Sequence, residues 1–435
     1  MTVAQESIGA PAGPAFARGA VVGLIAFLTL VDLFAAQALL PTLARAYGVG
    51  PAAMGAAVNA CTLGMAVSSL LVAFVSRRIE RRRGIWISLA LLSLPTALLA
   101  AAPNLAVFAA LRVLQGVFMA AAFALTLAWL GERFSARDAA GAFAAYVTGN
   151  VASNLFGRLM ASAMADQFGL SGAFYLFALL NLSGAALVFV AVAKPTPLRA
   201  LAEADGASLA EWMARLRRPP LLACLGIGFC ILFAFIGTFT YVNFVLVAAP
   251  FGLGMMSLGL IYFVFLPSIV TTPFGGWIAR RVGVRATLWA ALGIAGLGTP
   301  LVLAGSLAVV ILGLALIGIG TFLAQAAAAG FMSAAAPFDK VVASGLYLAS
   351  YFLGGLVGSL LLGRIYVDYG WLACVAGIAG ALALAALLTA LLKQPRDSGS
   401  ARMPRRHETN RSSAMAPLAK SRDGRDSTAS RTSFC

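Results

Sequence analysis

Four charged residues interrupt stretches that are otherwise apolar: Asp32, Arg112, Arg158 and Arg364. A charge inside hydrocarbon costs several kcal/mol unless it faces a partner or a wet cavity, so each is a candidate for chemistry. Asp32 lies nine residues before Pro41, and Arg112 lies eight residues after Asn104. At about 1.5 Å per helical residue, both sit roughly 12–14 Å below the same membrane face. An acid beside an arginine favours its charged form, and loss of water favours the neutral form. Alternation between those surroundings would let Asp32 take up and release a proton, with Arg112 as its partner. The competing reading is a static ion pair that pins two helices together. Arg158 stands beside Gly157, which leaves two readings open: a place at the gate or cavity, or snorkelling toward water. Arg364 reads as snorkelling or pairing locally with Asp368.

The elements that must carry these residues are helices in lipid. Of the 435 residues, 61% are hydrophobic and 11% charged, and the mean hydropathy is +0.93, which excludes a soluble globular protein. Twelve apolar stretches are expected at 19–41, 53–76, 84–102, 104–131, 139–163, 171–193, 220–248, 253–279, 284–305, 306–333, 341–366 and 370–392. Each is long enough to cross a hydrocarbon core as a helix, and the short alternating segments of a strand barrel are absent. The first stretch is too long for a cleaved leader and is read as retained. Basic residues crowd into alternate loops: 27 of 31 lie before the first stretch, after each even-numbered one and in the C-terminal segment. The opposite loops hold only Arg45. That asymmetry places both termini in the cytoplasm and predicts a multi-pass protein of a bacterial inner membrane. It also accounts for the net charge of +16 by topology and attraction to anionic lipid rather than by nucleic-acid binding. Five cysteines show no metal or redox spacing.

The chain repeats itself. At an offset of 201 residues, Gly149, Ser153, Gly157, Ser162 and Gly169 meet Ser350, Gly354, Gly358, Gly363 and Gly370. The first three pairs recur every four residues, on one helix face, where small residues let backbones approach closely. The expected fold is therefore all-α and membrane-integral, with twelve helices in two pseudo-symmetric six-helix bundles at 19–193 and 220–392. Residues 1–18 and the linker 194–219 read as cytoplasmic, and 393–435 as a disordered basic tail containing His407. Leu316 and Ser359 stand near the positions matching Arg112 and Arg158, so charge is concentrated in the first half. Phe233, Phe235, Phe239, Tyr241 and Asn243 are candidates for an aromatic wall from the second half.

These residues resemble the major facilitator superfamily over 19–392. Leu111-Arg112-Val113-Leu114-Gln115-Gly116 is similar to that family's fourth-helix motif, whose arginine is tied to proton coupling. Asp32 through Leu39-Leu40-Pro41 resembles the first helix of its drug/proton antiporters. Gly149-Asn150, Gly157-Arg158, Asp166 and Gly169 resemble the fifth helix of acriflavine-sensitivity-type permeases. The family's loop between helices two and three departs here, because Arg77 replaces an acid and Glu80 a glycine. Arg77 and Arg78 with Glu80 or Glu132 are then the candidates for the cytoplasmic gate. The fifth helix also lacks the Gly-Pro step of the antiporter motif.

No nucleotide-binding loop occurs, so an ion gradient is the expected energy source. The expectation is a carrier and not an enzyme, without cofactor or metal, exporting a small organic compound in exchange for protons by alternating access. Asp32 and Arg112 would couple the proton; Gly149, Asn150, Gly157 and Arg158 would form the gate or substrate cavity. The partners implied are a small-molecule substrate, protons and lipid, with the chain acting as a monomer. Proton-coupled uptake or facilitated transport of a metabolite is the alternative, with Arg112 or Arg158 binding an anionic group. A sensor that binds ligand without moving it is the alternative outside transport.

Overall fold

Lipid offers the backbone no hydrogen-bond partner, so each crossing segment must satisfy its own amides, and helices do this. The computed structural model describes residues 15–75, 79–133, 136–192, 218–335 and 340–392. Among these residues the elements are helices, with no strand. In chain order, the first half comprises α1 (Ala15–Ala38), α2 (Pro51–Val75), α3 (Arg81–Ala101), α4 (Leu105–Arg133), α5 (136–168) and α6 (170–191). The second comprises α7 (Pro219–Val247), α8 (Met255–Val282), α9 (Val284–Leu301), α10 (Leu307–Ala335), α11 (340–369) and α12 (371–389). A two-turn helix, Leu40–Tyr47, follows α1 and closes on Gly48 in the left-handed region.

Nine described stretches are long and apolar enough to cross a membrane. Two of them, of 48 residues each, fold back at a single glycine: Gly169 (φ 73°, ψ 178°) divides α5 from α6, and Gly370 (φ 81°, ψ −175°) divides α11 from α12. That backbone region is open almost only to glycine. The matched pair at offset 201 therefore marks the same turn made twice. With α9, these stretches give the expected twelve helices.

The duplication extends to packing. A Cβ on Gly149 would overlap the Gly23 carbonyl, and one on Gly157 would lie 2.8 Å from the Val31 carbonyl. In the second half Gly354 meets the Phe229 carbonyl, and Gly358 the Phe233 carbonyl at 2.6 Å. The small-residue faces thus bring α5 onto α1 and α11 onto α7. Large apolar side chains such as Leu71, Leu94, Leu297 and Leu387 point outward, the arrangement expected of a surface that meets lipid.

Two helices are broken where chemistry will matter. Between Asn59 and Cys61, α2 loses its regular ladder, and Ala60 takes part in three-residue turns. Pro267 and Pro273, which lack backbone N–H groups, interrupt α8 with 3₁₀ turns at Tyr262–Phe265 and Thr272–Phe274. The linker 194–217, the segment 1–14 and the tail 393–435 lie outside the described residues.

Candidate functional site

The end of the bundle carrying the Arg81–Arg83 and Arg280–Arg281 turns is the basic end; that of Pro41, Gly169 and Gly370 is the far end. In the half toward the far end, α4 crosses α2 at backbone contact. A Cβ on Gly116 would overlap the Cys61 carbonyl, and one on Gly64 the Val113 carbonyl. This crossing sets Arg112, one turn before Gly116, against the break in α2. Its Nε donates to the freed Val58 carbonyl at 2.8 Å, and its Nη2 reaches Cys61 Sγ at 3.1 Å. Longer contacts run from Nη1 and Nη2 to the carbonyls of Asp32 (3.4 Å) and Leu33 (3.5 Å) in α1. The arginine thus ties three helices through their backbones, which is how a buried guanidinium is made tolerable.

Asp32 and Arg112 make no direct ion pair. Asp32 is 3% exposed, and its carboxylate lies beyond ion-pair distance of the Arg112 guanidinium. Its Oδ2 instead accepts from Asn181 Nδ2 (2.7 Å), Thr96 Oγ1 (2.8 Å) and Gln115 Nε2 (3.4 Å), and its Oδ1 has no partner. Gln115 stands between the two charges. Its Oε1 accepts from Arg112 Nη1 at 2.7 Å, and its Nε2 donates to Thr96 Oγ1 at 2.7 Å. Three and four residues along α4 are one face, so Arg112 and Gln115 both look into the first half, where two neutral residues finish the acid's shell. A small cavity lies against this cluster, walled by Asp32, Thr96, Arg112, Gln115, Phe174 and Phe177. Asp32 is the one buried acid among the described residues.

A second polar cluster joins the halves on the far-end side. Asn59, at the break of α2, donates to Thr240 Oγ1 of α7 and Ser359 Oγ of α11, both at 3.0 Å. Ser359 donates to the Gly55 carbonyl at 2.9 Å. Gln37 Nε2 donates to Asn59 Oδ1 at 2.8 Å, and Asn243 Nδ2 to the Gln37 carbonyl at 3.0 Å. Tyr241 donates to the Ser359 carbonyl, and Tyr262 to Asn243 Oδ1.

Arg158 sits at the edge of this seal and does not snorkel: its exposure is 0%. Gly157 faces α1, so the next residue, about 100° around the helix, turns toward the second half. Its Nη2 donates to Gln37 Oε1, whereas Nε and Nη1 have no acceptor. Its guanidinium carbon lies 4.4 Å from the ring centre of Tyr262, 5.1 Å from Phe265, 5.3 Å from Phe239, 5.4 Å from Phe34 and 6.0 Å from Phe235. Toward the basic end a central cavity opens between the halves. Its walls include Phe34, Thr62 and Asn150 of the first half and Phe235, Phe322 and Gln325 of the second.

The sequence-derived candidates therefore separate. Asp32 and Arg112 share one cluster, with Gln115 interposed; Arg158 and Asn150 flank the space between the halves. Gly149 and Gly157 are helix-packing positions on α1 rather than cavity walls. Of the wall candidates, Phe235 and Phe239 face Arg158, and Tyr241 and Asn243 join the seal; Phe233 stacks on Phe229. At the basic end, Glu132 pairs with Arg81 (2.7 Å) within the first half, and Glu80 pairs with Arg83 at 2.8 Å. Arg77 and Arg78 lie outside the described residues. Arg364 and Asp368 are exposed. Gln37, Asn59, Thr96 and Asn181 escape a sequence search that follows charges. Amides within an apolar helix, less conspicuous than charges, are the signal that marks three of them.

Comparison with known proteins bears on the whole arrangement. The profile of the Major Facilitator Superfamily matches residues 22–266 and 246–423. An uncharacterized MFS-type transporter of Bacillus subtilis, YybF, is 27% identical over 84% of this chain and 91% of its own length. The multidrug resistance protein Stp of Mycobacterium tuberculosis is 25% identical over 79% of this chain and 74% of its own. Among solved structures, the human organic anion transporter MFSD10 superposes with a TM-score of 0.64 at 19% identity, covering 86% of this chain and 98% of that one. This last likeness speaks to fold alone.

Proposed function

The chain belongs to the Major Facilitator Superfamily and is a membrane transporter, and from that premise we propose that it is a proton-coupled exporter of a small organic compound. The observation that carries this reading is Asp32, the one buried acid among the described residues, with one oxygen unpartnered beside a small cavity. A carboxylate held only by neutral donors can lose its charge without stranding an ion-pair partner, which a static pair cannot.

The hydrogen bonds support one coupling route. A proton on Asp32 changes what the carboxylate accepts from Thr96, Asn181 and Gln115. Gln115 passes the change to Arg112, and Arg112 holds the Val58 carbonyl at the break of α2. The next residue, Asn59, binds Thr240 and Ser359 of the other half. Protonation thereby loosens or tightens the far-end seal, and the halves rock about the central cavity. The similarity to a protein named for multidrug resistance supports export, as does the apolar lining of that cavity. The crowding of basic residues supports a cytoplasmic basic end in a bacterial inner membrane, and in this reading the chain works there as a monomeric carrier.

The test is flux in proteoliposomes. Purified protein under an imposed pH gradient should acidify or alkalinise the lumen when a transported compound is present. Asp32→Asn should abolish that proton movement while leaving energy-independent exchange of the compound. Proton movement equal to the parent's in Asp32→Asn would falsify the coupling role.

A further inference from the structure

Arg158 carries a charge that nothing in its surroundings neutralises. Among the described residues no carboxylate comes within ion-pair distance, two of its three guanidinium nitrogens lack an acceptor, and its exposure is 0%. Five aromatic rings surround it instead. Ring faces attract a cation, but they do not replace acceptors for its N–H groups. A buried, unpaired charge of this kind is costly, and a chain that only needed to fill the space would do so with an apolar residue.

The surroundings say what the missing acceptor should look like. Phe34 and Phe235 belong both to the ring cage and to the wall of the central cavity, so the arginine lies directly behind these two rings, and an anion in the cavity reaches it by displacing them. The remaining wall is apolar and aromatic, with Thr62, Asn150, Gln325 and Tyr351 as its members bearing polar groups and no charged residue.

We infer that Arg158 is the anion anchor of the substrate site, and that the substrate class is a small organic monoanion, such as a carboxylate or sulfonate, on a flat apolar body. The anionic oxygens take the guanidinium N–H groups now left without acceptors, and the body stacks among Phe34, Phe235 and Phe322. A charge-assisted pair inside a dry cavity adds both affinity and orientation. This assignment rests on the carrier reading above and names the kind of cargo that reading leaves open.

The test uses three matched probes on the purified full chain in detergent: 1-naphthoate, its neutral analogue 1-naphthamide and the cation 1-naphthylmethylamine, with sodium sulfate as a body-free anion. Titration calorimetry should show 1-naphthoate binding roughly tenfold or more tighter than the amide, the amine or sulfate, the range a charge-assisted contact supplies. Arg158→Gln should erase that preference, Arg158→Lys should keep part of it, and removal of an exposed charge in Arg364→Gln should leave it intact. Arg158→Gln should also melt no lower than the parent, which shows that it folds; a purely structural arginine would lower the melting temperature. Equal binding of the three probes, absence of naphthoate binding, sulfate binding as tight as naphthoate, or a preference that survives Arg158→Gln would each overturn the assignment. Flux separates the two claims. Arg158-dependent naphthoate binding with no flux in vesicles would refute the carrier and keep the anion site. Flux of naphthamide without any anion preference would do the reverse.

Discussion

The two halves share one framework and differ in what fills it. Both turn at a glycine that no other residue replaces easily, Gly169 and Gly370, and both seat a small-residue helix against the first helix of the half. Inside, the first half holds a connected polar cluster of Asp32, Thr96, Arg112, Gln115 and Asn181. The second half instead presents aromatic packing toward the first, with Phe235, Phe239, Phe265 and Phe322 in contact with one another. In the proposed mechanism, divergence gives one half the proton and the other the surface for an apolar body. The contrast is sharpest in the two buried arginines. Arg112 has acceptors on most of its edge, whereas Arg158 has one.

That contrast is open to breakage at graded cost. The largest effect belongs to the α2–α4 crossing. Gly116→Leu drives a side chain into the Cys61 carbonyl, a backbone clash that cannot relax locally. It should leave no folded monodisperse protein in size-exclusion chromatography, whereas Gly141→Leu, where a Cβ meets nothing, should behave as the parent. Next comes Arg112→Ala, which strips Val58 and Gln115 of their donor at a cost of about 1–3 kcal/mol for each acceptor left bare. A clear drop in melting temperature should follow. Arg158→Gln removes a charge without stranding an acceptor other than Gln37 and should hold or raise the melting temperature. If both substitutions cost the same, the distinction between a framework arginine and a site arginine is wrong.

Smaller effects probe the seal and the surface. Ser359→Ala deletes two hydrogen bonds between the halves, each worth about 0.6 kcal/mol in a membrane interior. It should increase far-end accessibility, read as faster labelling of a cysteine introduced at Ala52, beside Gly363. Glu132→Gln breaks an ion pair in which the carboxylate is 39% exposed, so its cost should stay below about 1 kcal/mol. A larger loss there would mean that the basic-end loop carries load beyond this one pair.

The helices are legible in the sequence because length and apolarity leave lipid-embedded chain few choices, and the pairing of Gly169 with Gly370 marks the repeat in the residues themselves. Depth is legible too: Asp32 and Arg112 do share one cluster. What depth along a helix does not reveal is direction around it. Counting from helix ends places Asp32 beside Arg112, but the α2–α4 crossing turns Arg112 toward the α2 break and lets Gln115 intervene. The same gap leaves Arg158 between snorkelling and the cavity. The close fit of Gly157 on Val31 decides it, since the neighbouring position must then face the other half. The irregularity of α2 at Ala60 has no proline or positive φ behind it, so its freed Val58 carbonyl is invisible in the sequence.

The central claim is that ionisation of Asp32 moves the two halves against each other. It is tested most directly by pulsed electron–electron distance measurement between spin labels at Arg45→Cys and Tyr369→Cys, exposed far-end positions of opposite halves, in reconstituted protein titrated across acidic and neutral pH. Two distance populations are expected, whose ratio changes with pH in the parent and is fixed in Asp32→Asn. A distribution in the parent that ignores pH, or one in Asp32→Asn that still follows it, would contradict the claim.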